Sequence, residues 1–326
     1  MRTAILHDPG EAADILRTGG LVAVPSETVY GLAARFDNPS AIASIFAAKQ
    51  RPADNPLIVH VADIQWLEQL GEPLPEIALR LLAQFAPGPL TVTVPRRQSV
   101  SEWITAGLAS VAVRIPASEL FQQVLSRLGV PLVAPSANRS GRPSPTTWQA
   151  ARDELDGLID GVLVGPPARV GIESTVVDCC QQPPRLLRPG AITLEQLRQL
   201  APDVRTLDEL DELARGGSQP TAGRPLPSPG LRHRHYAPAA RVVLVNRPEE
   251  AIAEATAIYL GLQPHSQAAD FLAHHCWPDV ERYARELFAC FHQADRAGVE
   301  TIFCQRVGLE GLGRGLMDRL QRAAKR

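Results

Sequence analysis

The chain has 326 residues, of which 45% are hydrophobic and 21% are charged. This composition is ordinary for a folded globular protein and excludes a collagen-like or wholly disordered chain. The formal net charge of −2 predicts no general attraction to nucleic acid or anionic membranes, so an anion-binding site would have to be a local cluster of cations. The length predicts two domains rather than one.

Short β-rich runs alternate with helical patterns over residues 1–210, which we predict to form the first domain. The predicted strands cover residues 21–25, 57–61, 90–94, 111–115, 131–134 and 174–178. The predicted helices cover residues 11–17, 39–48, 75–85 and 119–127, and Asn38 and Ser118 are placed to act as N-caps. This mixture of elements predicts an α/β domain with a mixed, twisted sheet.

Residues 211–238 are rich in proline and glycine with almost no apolar periodicity, which predicts a linker. Residues 239–326 return to alternating elements and predict a small Rossmann-like α/β domain. Its predicted strands cover residues 241–245, 257–260 and 299–303, and its predicted helices cover residues 249–255, 279–293 and 312–324. The sequence contains no G-x-x-x-x-G-K-[ST] motif, so ATP would not bind through that phosphate loop.

The five cysteines form no C-x-x-C pair, and the first residues show no charged segment followed by an apolar one. We therefore expect a protein of the reducing cytoplasm. No apolar stretch approaches the roughly 20 residues that span a bilayer, so no membrane association is expected. His274, His275 and Cys276 are adjacent, which is poor geometry for one metal ion, and we predict no metal site formed by the protein alone.

Lys49 and Lys325 are the only lysines among the 33 lysines and arginines of the chain. A lysine at position 49, where arginine would be the default, indicates a need for a compact and flexible ammonium group. A chance surface lysine is the alternative interpretation. Lys49 also lies two residues before Arg51, and in an extended segment such residues face the same side and could converge on one polyphosphate.

Five polar clusters lie at the ends of predicted strands in the first domain. Together they combine arginines and a lysine with many hydroxyl groups, which are the donors that a phosphate and carboxylate site needs. Taken singly, these residues could be helix caps, turn residues or partners in surface ion pairs. Their joint occurrence in one α/β domain favours a ligand site at the strand ends. In chain order the clusters are PSETVYG (25–31), KQRPADNPLIVH (49–60), SVAVRIP (110–116), APSANRSGRPSPT (134–146), and GIESTVVD with RLLRPG (171–178 and 185–190).

The ordered set of motifs resembles the YrdC-like family of threonylcarbamoyl-AMP synthases. The matching motifs are PSETVYGL, K-x-R followed by NPL, PGPLT, VAVRIP, PSAN, ESTVVD and LLRPG. The segment SPGLRHRHYAP (228–238) is similar to the two-domain form of that family, in which a smaller C-terminal domain follows. Any one motif is weak evidence, whereas the ordered set is specific and covers nearly the whole chain.

The resemblance implies a YrdC-like twisted-sheet fold with a concave, positively charged surface. It also implies an L-threonylcarbamoyladenylate synthase, a nucleotidyltransferase that uses L-threonine, bicarbonate and ATP and releases pyrophosphate. Mg²⁺ is implied as a companion of ATP, held through the phosphates. The product serves the formation of threonylcarbamoyladenosine on the tRNA adenosine next to the anticodon, so a downstream threonylcarbamoyl transferase complex and tRNA are the implied partners.

Carried onto this sequence residue by residue, the resemblance implies two sets of binding residues. The threonine-binding set is Thr28, His60, Arg114, Ala134 and Ser174. The ATP-binding set is Lys49, Arg51, Asn55, Ser110, Ser136, Ser144, Arg188 and Tyr236. From their positions in the first two clusters, Glu27 and His60 are candidate catalytic residues that deprotonate the threonine ammonium group. Because Tyr236 follows the predicted linker, its assignment implies that the linker folds over the active site.

Two other functions stay open from the sequence alone. One is an RNA-binding module that uses a basic concave surface without catalysis, and the other is a carbamoyltransferase, since hydrogenase maturation proteins contain a related domain. The slightly negative net charge and the lack of aromatic residues interleaved with basic ones argue against the RNA-binding module. The acylphosphatase and zinc-finger segments of the hydrogenase maturation proteins have no counterpart in this sequence.

Overall fold

The computed structural model of the protein describes residues 2–210 and 235–325. Except for residues 235–238, the predicted linker therefore lies outside the described residues. The described residues form two sheets, one with 11 strands and one with 4. Among them, no helix is both long enough and apolar enough to cross a membrane.

The larger sheet is mixed. Its strands lie in the order β1-β8-β2-β3-β7-β4-β6-β5-β9-β10-β11. Neighbouring strands pair in both directions, since β4 and β6 are parallel whereas β5 and β6 are antiparallel. The strands are β1 (Ala4–Leu6), β2 (Val22–Val24), β3 (Gly31–Arg35), β4 (Ile58–His60), β5 (Leu90–Pro95), β6 (Ser110–Arg114), β7 (Leu132–Val133), β8 (Gly161–Leu163), β9 (Thr175–Asp178), β10 (Arg185–Arg188) and β11 (Arg205–Thr206).

Helices cover this sheet through their apolar faces, as in α5, which buries Phe121, Val124 and Leu125. The side chains of Asn38 and Ser118 cap α2 and α5 as predicted, each accepting a backbone N–H of the first turn. The helices are α1 (Pro9–Arg17), α2 (Pro39–Lys49), α3 (Glu76–Phe85), α4 (Glu102–Thr105), α5 (Glu119–Leu128), α6 (Trp148–Leu155) and α7 (Leu194–Leu200), with a 3₁₀ helix at Ile64–Gln69.

The smaller sheet is parallel throughout, with the strand order β12-β15-β13-β14. Its elements are β12 (Arg241–Val245), β13 (Ala257–Gly261), β14 (Ala273–Cys276), α8 (Val280–Arg296), β15 (Thr301–Gln305) and α9 (Gly313–Ala324), with 3₁₀ helices at Pro248–Glu250 and Ala268–Asp270. The predicted fold class, a mixed α/β sheet followed by a smaller α/β unit, is confirmed.

The predicted helix over residues 249–255 is wrong. Only the 3₁₀ turn Pro248–Glu250 forms there, and the backbone at Ala251 is already extended. Ala251 is buried in the core of the smaller sheet unit whereas Ile252 is 63% exposed, so neighbouring residues point to opposite sides, as in an extended segment rather than a helix. The strand predicted over residues 299–303 is observed slightly later, as Thr301–Gln305.

The two sheets belong to one packed body. The hydrophobic core of the smaller sheet includes Val29 and Ile172 from loops of the larger sheet, together with Tyr236. A partly buried ion pair joins Arg142 to Asp295, and an exposed one joins Arg296 to Asp153. The smaller sheet therefore packs directly on the loops that carry the polar clusters.

Gly171 marks a close approach between these two parts of the chain. Its φ is +83°, and a Cβ atom added there would lie 2.3 Å from the Cα atom of Arg285 in α8. We expect Gly171→Ala to lower the free energy of unfolding by about 2–4 kcal/mol, because the cost of a left-handed backbone adds to the steric overlap.

The matched control is Gly298→Ala. Gly298 also has a positive φ, +66°, but nothing lies within 4 Å of the added Cβ atom. This variant should lose only the backbone term, about 1 kcal/mol. Urea unfolding of both variants measures the difference, and equal losses would contradict the close approach at Gly171.

Candidate active site

A polar pocket lies at one edge of the larger sheet, where five neighbouring strands begin or end. The strand register places His60 at the end of β4 opposite Arg114 at the end of β6, and Arg114 opposite Thr91 near the start of β5. Ser174 immediately precedes β9, and Arg188 ends β10. Because the sheet order is β4-β6-β5-β9-β10, residues that are far apart in sequence meet at this edge.

The wall of the pocket takes residues from all five polar clusters and from residues 235–236. Three of the described wall residues are arginines and one is a carboxylate, so the wall carries more positive than negative charge. The wall residues are Thr28, Val29, Arg51, Pro56, Leu57, Ile58, His60, Arg114, Ala134, Pro135, Ser136, Glu173, Ser174, Arg188, His235 and Tyr236.

Arg114 organises one end of the pocket and is only 4% exposed. Its Nη1 donates to Thr28 Oγ1 at 2.9 Å, its Nε donates to the carbonyl of Gly88 at 3.2 Å, and its Nη2 lies 2.7 Å from Glu27 Oε1. Burial by itself raises the pKa of Glu27, but the Arg114 guanidinium outweighs it and holds that pKa below its ordinary value. Glu27 is therefore ionised at neutral pH, and this end offers a guanidinium, a hydroxyl and a carboxylate to a ligand.

The PSETVYG turn holds Thr28 in place. The Ser26 hydroxyl accepts the backbone N–H groups of Thr28 and Val29, and it lies 2.8 Å from Thr28 Oγ1. This is the local side-chain-to-backbone bonding that serine favours in turns. Tyr30 is fully buried and donates its hydroxyl to the carbonyl of Pro166 at 3.4 Å, so its phenol packs beneath the turn and does not line the pocket.

His60 lies beside Arg114, and its ring stacks on Phe121 with the centroids 5.1 Å apart. Its Nδ1 lies 3.2 Å from the carbonyl oxygen of Ile58. Assigning the ring proton to Nδ1, as that contact favours, leaves Nε2 as the basic nitrogen. Burial, reinforced by the charge of Arg114, lowers the pKa of His60 to about 3, so the imidazole is neutral at physiological pH.

Arg188 and Ser174 form the next part of the wall. Arg188 Nε donates to the backbone carbonyl of Ser174 at 3.0 Å, and its Nη2 lies 3.0 Å from the Ser174 hydroxyl. That hydroxyl in turn lies 2.8 Å from Thr91 Oγ1. The chain of contacts fixes the direction of the Ser174 side chain between β5 and β10.

Lys49 lies behind the pocket wall and is 1% exposed. Its Nζ donates to the backbone carbonyls of Ser136 and Asn138, and burial, reinforced by Arg51, lowers its pKa well below the ordinary value. Helix α2 continues through Lys49, and Gln50, with φ 49°, turns the chain. The expectation of an extended segment, with Lys49 and Arg51 on one face, is therefore wrong.

Arg51 itself lines the pocket. Its Nη2 donates to the carbonyl of Pro56 at 2.9 Å and its Nε donates to the carbonyl of Asn55 at 3.3 Å. Burial lowers its pKa to about 10, which leaves the guanidinium charged at neutral pH. Arg51 thus supplies a fixed positive charge to the pocket wall, where its charge acts on Tyr236 and Arg188.

His235 and Tyr236, the first described residues after position 210, close another side of the pocket. Tyr236 is 5% exposed, has a φ of 65°, and its ring lies 5.5 Å from the ring of Phe288 in α8. A positive φ is uncommon for a residue other than glycine and persists only where the surroundings impose it. Burial, together with the charge of Arg51, lowers the pKa of His235 to about 3, so this imidazole is also neutral.

Glu173 is a pocket residue that the sequence interpretation missed. Its Oε2 accepts from Arg319 Nε at 2.8 Å and its Oε1 accepts from the hydroxyl of Ser144. Burial by itself raises its pKa, but Arg319 and Arg188 outweigh burial, so the carboxyl is ionised. Glu173 stands in the quoted motif GIESTVVD, next to Ser174, yet its partner Arg319 lies 146 positions away, and no local pattern links the two.

The pocket brings together most of the predicted site residues. Four others stand behind the wall, each in contact with a wall residue: Glu27, Lys49, Asn55 and Ser144. Ser110 is not brought to the pocket, because it begins β6 opposite Pro95, roughly 13 Å along the strand from Arg114 at a rise of about 3.3 Å per residue. The roles assigned to all of these residues stay predictions. The predicted residues in the wall are Thr28, Arg51, His60, Arg114, Ala134, Ser136, Ser174, Arg188 and Tyr236.

The acidic groups of the site are already engaged. Glu27 is paired with Arg114 and Glu173 with Arg319. Within residues 2–210 and 235–325, no group of three or more histidine, cysteine, aspartate or glutamate side chains is placed to hold a metal ion.

Two family models match consecutive parts of the chain. The Sua5/YciO/YrdC model, described as "Telomere recombination", matches residues 14–190, and a model described as "Threonylcarbamoyl-AMP synthase, C-terminal domain" matches residues 192–325. Among curated proteins, the threonylcarbamoyl-AMP synthase of Pyrococcus abyssi is 39% identical over 96% of this chain and 93% of its own length. That of Bacillus subtilis is 37% identical over 98% and 94%.

Among solved structures, the crystal structure of Pyrococcus abyssi Sua5 complexed with L-threonine superposes with a TM-score of 0.88. The alignment has 37% sequence identity and covers 99% of this chain and 98% of that one. The similarity thus extends over both sheets.

The lowered pKa of His60 makes the stability of the protein depend on pH. The unfolded chain binds a proton at an ordinary histidine near pH 6.5, whereas the folded chain binds it only near pH 3. Stability is therefore lost as the pH falls below about 6.5. Between about pH 7 and pH 5, protonation linked to His60 should lower the free energy of unfolding by about 2 kcal/mol. The variant His60→Gln should therefore lose about 2 kcal/mol less than wild type over the same pH range.

Urea unfolding of wild type and His60→Gln at the two pH values measures this difference. His7→Gln, at an exposed histidine, is the control and should lose as much stability on acidification as wild type. The account of His60 fails if acidification destabilises His60→Gln as much as it does wild type.

Proposed function

The chain belongs to the Sua5/YciO/YrdC family of threonylcarbamoyl-AMP synthases, and we propose that its pocket joins L-threonine, bicarbonate and ATP into L-threonylcarbamoyladenylate. The observation that carries the proposal is the charge of the wall, in which Arg51, Arg114 and Arg188 face one pocket with Glu173 as the carboxylate. Buried cations in excess of anions suit a site whose ligands are themselves anions. The reaction class is nucleotidyl transfer.

The Arg114 end suits threonine. The guanidinium is placed to grip a carboxylate, with the hydroxyls of Thr28 and Ser174, the ring of His60 and the backbone near Ala134 around the rest of the amino acid. The Nη2 of Arg114 and both Glu27 oxygens are buried with no well-aligned hydrogen bond among the described residues. A bound carboxylate could therefore take up donor capacity that the Glu27 ion pair leaves unused.

The opposite end suits the nucleotide. Arg51, Arg188, Ser136 and Tyr236 line it, and Lys49, Asn55 and Ser144 hold the loops that carry this wall. Ser110 stays a predicted ATP contact by resemblance only. Mg²⁺ accompanying ATP would be held by the phosphates, since Glu27 and Glu173 are paired with arginines, and it would neutralise charge on them.

Chemically, the site has to bring two anions together. The threonine nitrogen attacks bicarbonate carbon, an N–C bond forms, and water is released, which gives a carbamate. A carbamate oxygen then attacks the α-phosphorus of ATP, and the bond to the pyrophosphate oxygen breaks. No protein nucleophile is required, so the protein contributes positioning, exclusion of water and charge stabilisation by Arg51, Arg114 and Arg188.

The threonine ammonium group must lose a proton before it attacks. Glu27 and His60 stay the candidate bases, because both are unprotonated at neutral pH. Their lowered pKa values make each a weak base, so either would hold the proton only transiently. The nitrogen loses two protons in all, of which one ends in the water formed with the bicarbonate hydroxyl and the other passes through the base to solvent.

We place the reaction in the cytoplasm, upstream of a threonylcarbamoyl transferase complex that modifies the tRNA adenosine next to the anticodon. The RNA-binding alternative uses the same cationic pocket without chemistry. Arg114 and Arg188 are buried and Arg51 is partly buried, which favours small anions over a nucleic acid backbone, since the latter needs an accessible basic surface.

Release of pyrophosphate from ATP tests the proposal. With wild-type protein we expect release only when L-threonine, bicarbonate and Mg²⁺ are all present. Pyrophosphate release without threonine, or tRNA binding with steep salt dependence and no pyrophosphate release, would overturn the proposal.

The two lysines supply a matched pair of variants for the same assay. Lys49→Arg keeps the charge but places a planar guanidinium where a compact ammonium holds two carbonyls of the Ser136 loop, so we expect at least a roughly tenfold loss of rate. Lys325→Arg, at the exposed end of the chain, should match wild type. Equal rates for the two variants would show that the identity of the buried cation is unimportant.

A further inference from the structure

Arg319 in α9 is the largest fully buried side chain of the described residues. It belongs to the smaller sheet unit, yet it reaches the wall of the pocket formed by the larger one. A buried guanidinium is costly unless its donors are paired. The groups that pair with Arg319 therefore indicate the role of this side chain.

Apart from two contacts within its own helix, those partners are all at one end of the pocket. Arg319 Nε donates to Glu173 Oε2 at 2.8 Å, and its Nη2 donates to the backbone carbonyl of Glu173 at 3.3 Å. Its Nη1 donates to the carbonyl of Pro189 at 2.6 Å, directly after Arg188. The guanidinium carbon lies 5.5 Å from the centroid of the Tyr236 ring, within the range of a cation–π contact.

Glu173 links Arg319 to a further residue of the site. Its second carboxylate oxygen accepts from the hydroxyl of Ser144. The Arg319 guanidinium therefore holds Ser144 through the Glu173 carboxylate. It also contacts Tyr236 and the turn after Arg188 directly. These three residues belong to the predicted ATP-binding set. None of the contacts of Arg319 reaches Thr28, His60 or Arg114 at the threonine end.

We infer that Arg319 is a positioning residue for the nucleotide, through which the smaller unit shapes the ATP end of a pocket that the larger unit otherwise forms. The inference deepens the proposed function and rests on it for the identity of the ligand. It gives the smaller unit a part in shaping the nucleotide site.

Arg319 is not needed to hold the two sheet units together. Surface ion pairs such as Arg296 with Asp153, whose side chains are 54% and 40% exposed, already join the units. Burying a charged pair is poor evidence of net stabilisation, because desolvation offsets the attraction. The Arg319–Glu173 pair is fully buried, and Glu173 lies in the pocket wall. Its role is therefore better explained as holding that wall in a fixed geometry.

The test is calorimetric titration of the full-length chain with ATP and, separately, with L-threonine. We expect Arg319→Met to weaken ATP binding by at least about tenfold and to leave threonine binding within about threefold of wild type. Arg319→Lys should lie between the two, because it keeps a charge near Glu173 but loses the fork of donors. Arg296→Met is the matched control, an arginine that also crosses between the units, and should bind both ligands as wild type does.

A double variant separates positioning from stability. Arg319→Met alone leaves the buried Glu173 carboxylate without its ion-pair partner, which destabilises the fold. Arg319→Met with Glu173→Gln removes both charges and should recover much of the thermal stability. We expect ATP binding to stay weak in the double variant. Recovery of ATP affinity together with stability, or equal loss of threonine and ATP binding in a folded Arg319→Met protein, would overturn the inference.

These titrations do not depend on turnover. If wild type binds ATP but releases no pyrophosphate with threonine and bicarbonate, the proposed reaction is wrong, and selective loss of ATP binding in Arg319→Met would still support the inference. If wild type binds threonine but no ATP, both fail.

Discussion

Positive charge buried without an equal negative charge is the constraint on which this structure depends. Arg51, Arg114 and Arg188 all face one pocket, and Glu173 is the carboxylate in the same wall. The consequences are visible in the neighbouring groups. His60 and His235 stay neutral to about pH 3, because burial and the nearby guanidinium groups both oppose a further charge. Anionic substrates would offset this excess of positive charge, so the charge of the wall suits the proposed chemistry.

The scaffold meets that constraint by holding each cation from several directions. The register of β4, β6 and β5 sets His60, Arg114 and Thr91 side by side, so one end of the pocket is built on regular sheet. The other end takes Arg188 from the end of β10 but is otherwise built on loops, which need separate support. Lys49 supplies it for the Ser136 loop, and Arg319 supplies it from the smaller unit. Both are fully buried cations that hold the wall from behind, and neither is among the residues that line the pocket.

The sequence predicted much of this fold, since strands with β-rich runs and helices with clear caps were found within a few residues of their observed bounds. Local sequence patterns gave wrong secondary structure at two places where tertiary contacts determine the conformation. The chain leaves the helical conformation after Glu250, where a helix was predicted over residues 249–255, and the segment from Lys49 to Arg51 is turned by Gln50 rather than extended. Most site residues could be named from the ordered motifs. Glu173 could not be assigned, because its role depends on an arginine 146 residues away.

The central claim is that one pocket has two ends, with the amino acid at Arg114 and the nucleotide at Arg51. Calorimetric titration of Arg114→Met and Arg51→Met with L-threonine and with ATP tests it most directly. We expect Arg114→Met to lose threonine affinity by about a hundredfold or more while its ATP affinity changes by less than about fivefold, and Arg51→Met to show the reverse. Threonine binding that survives Arg114→Met, or parallel loss of both ligands in both variants, would contradict the account.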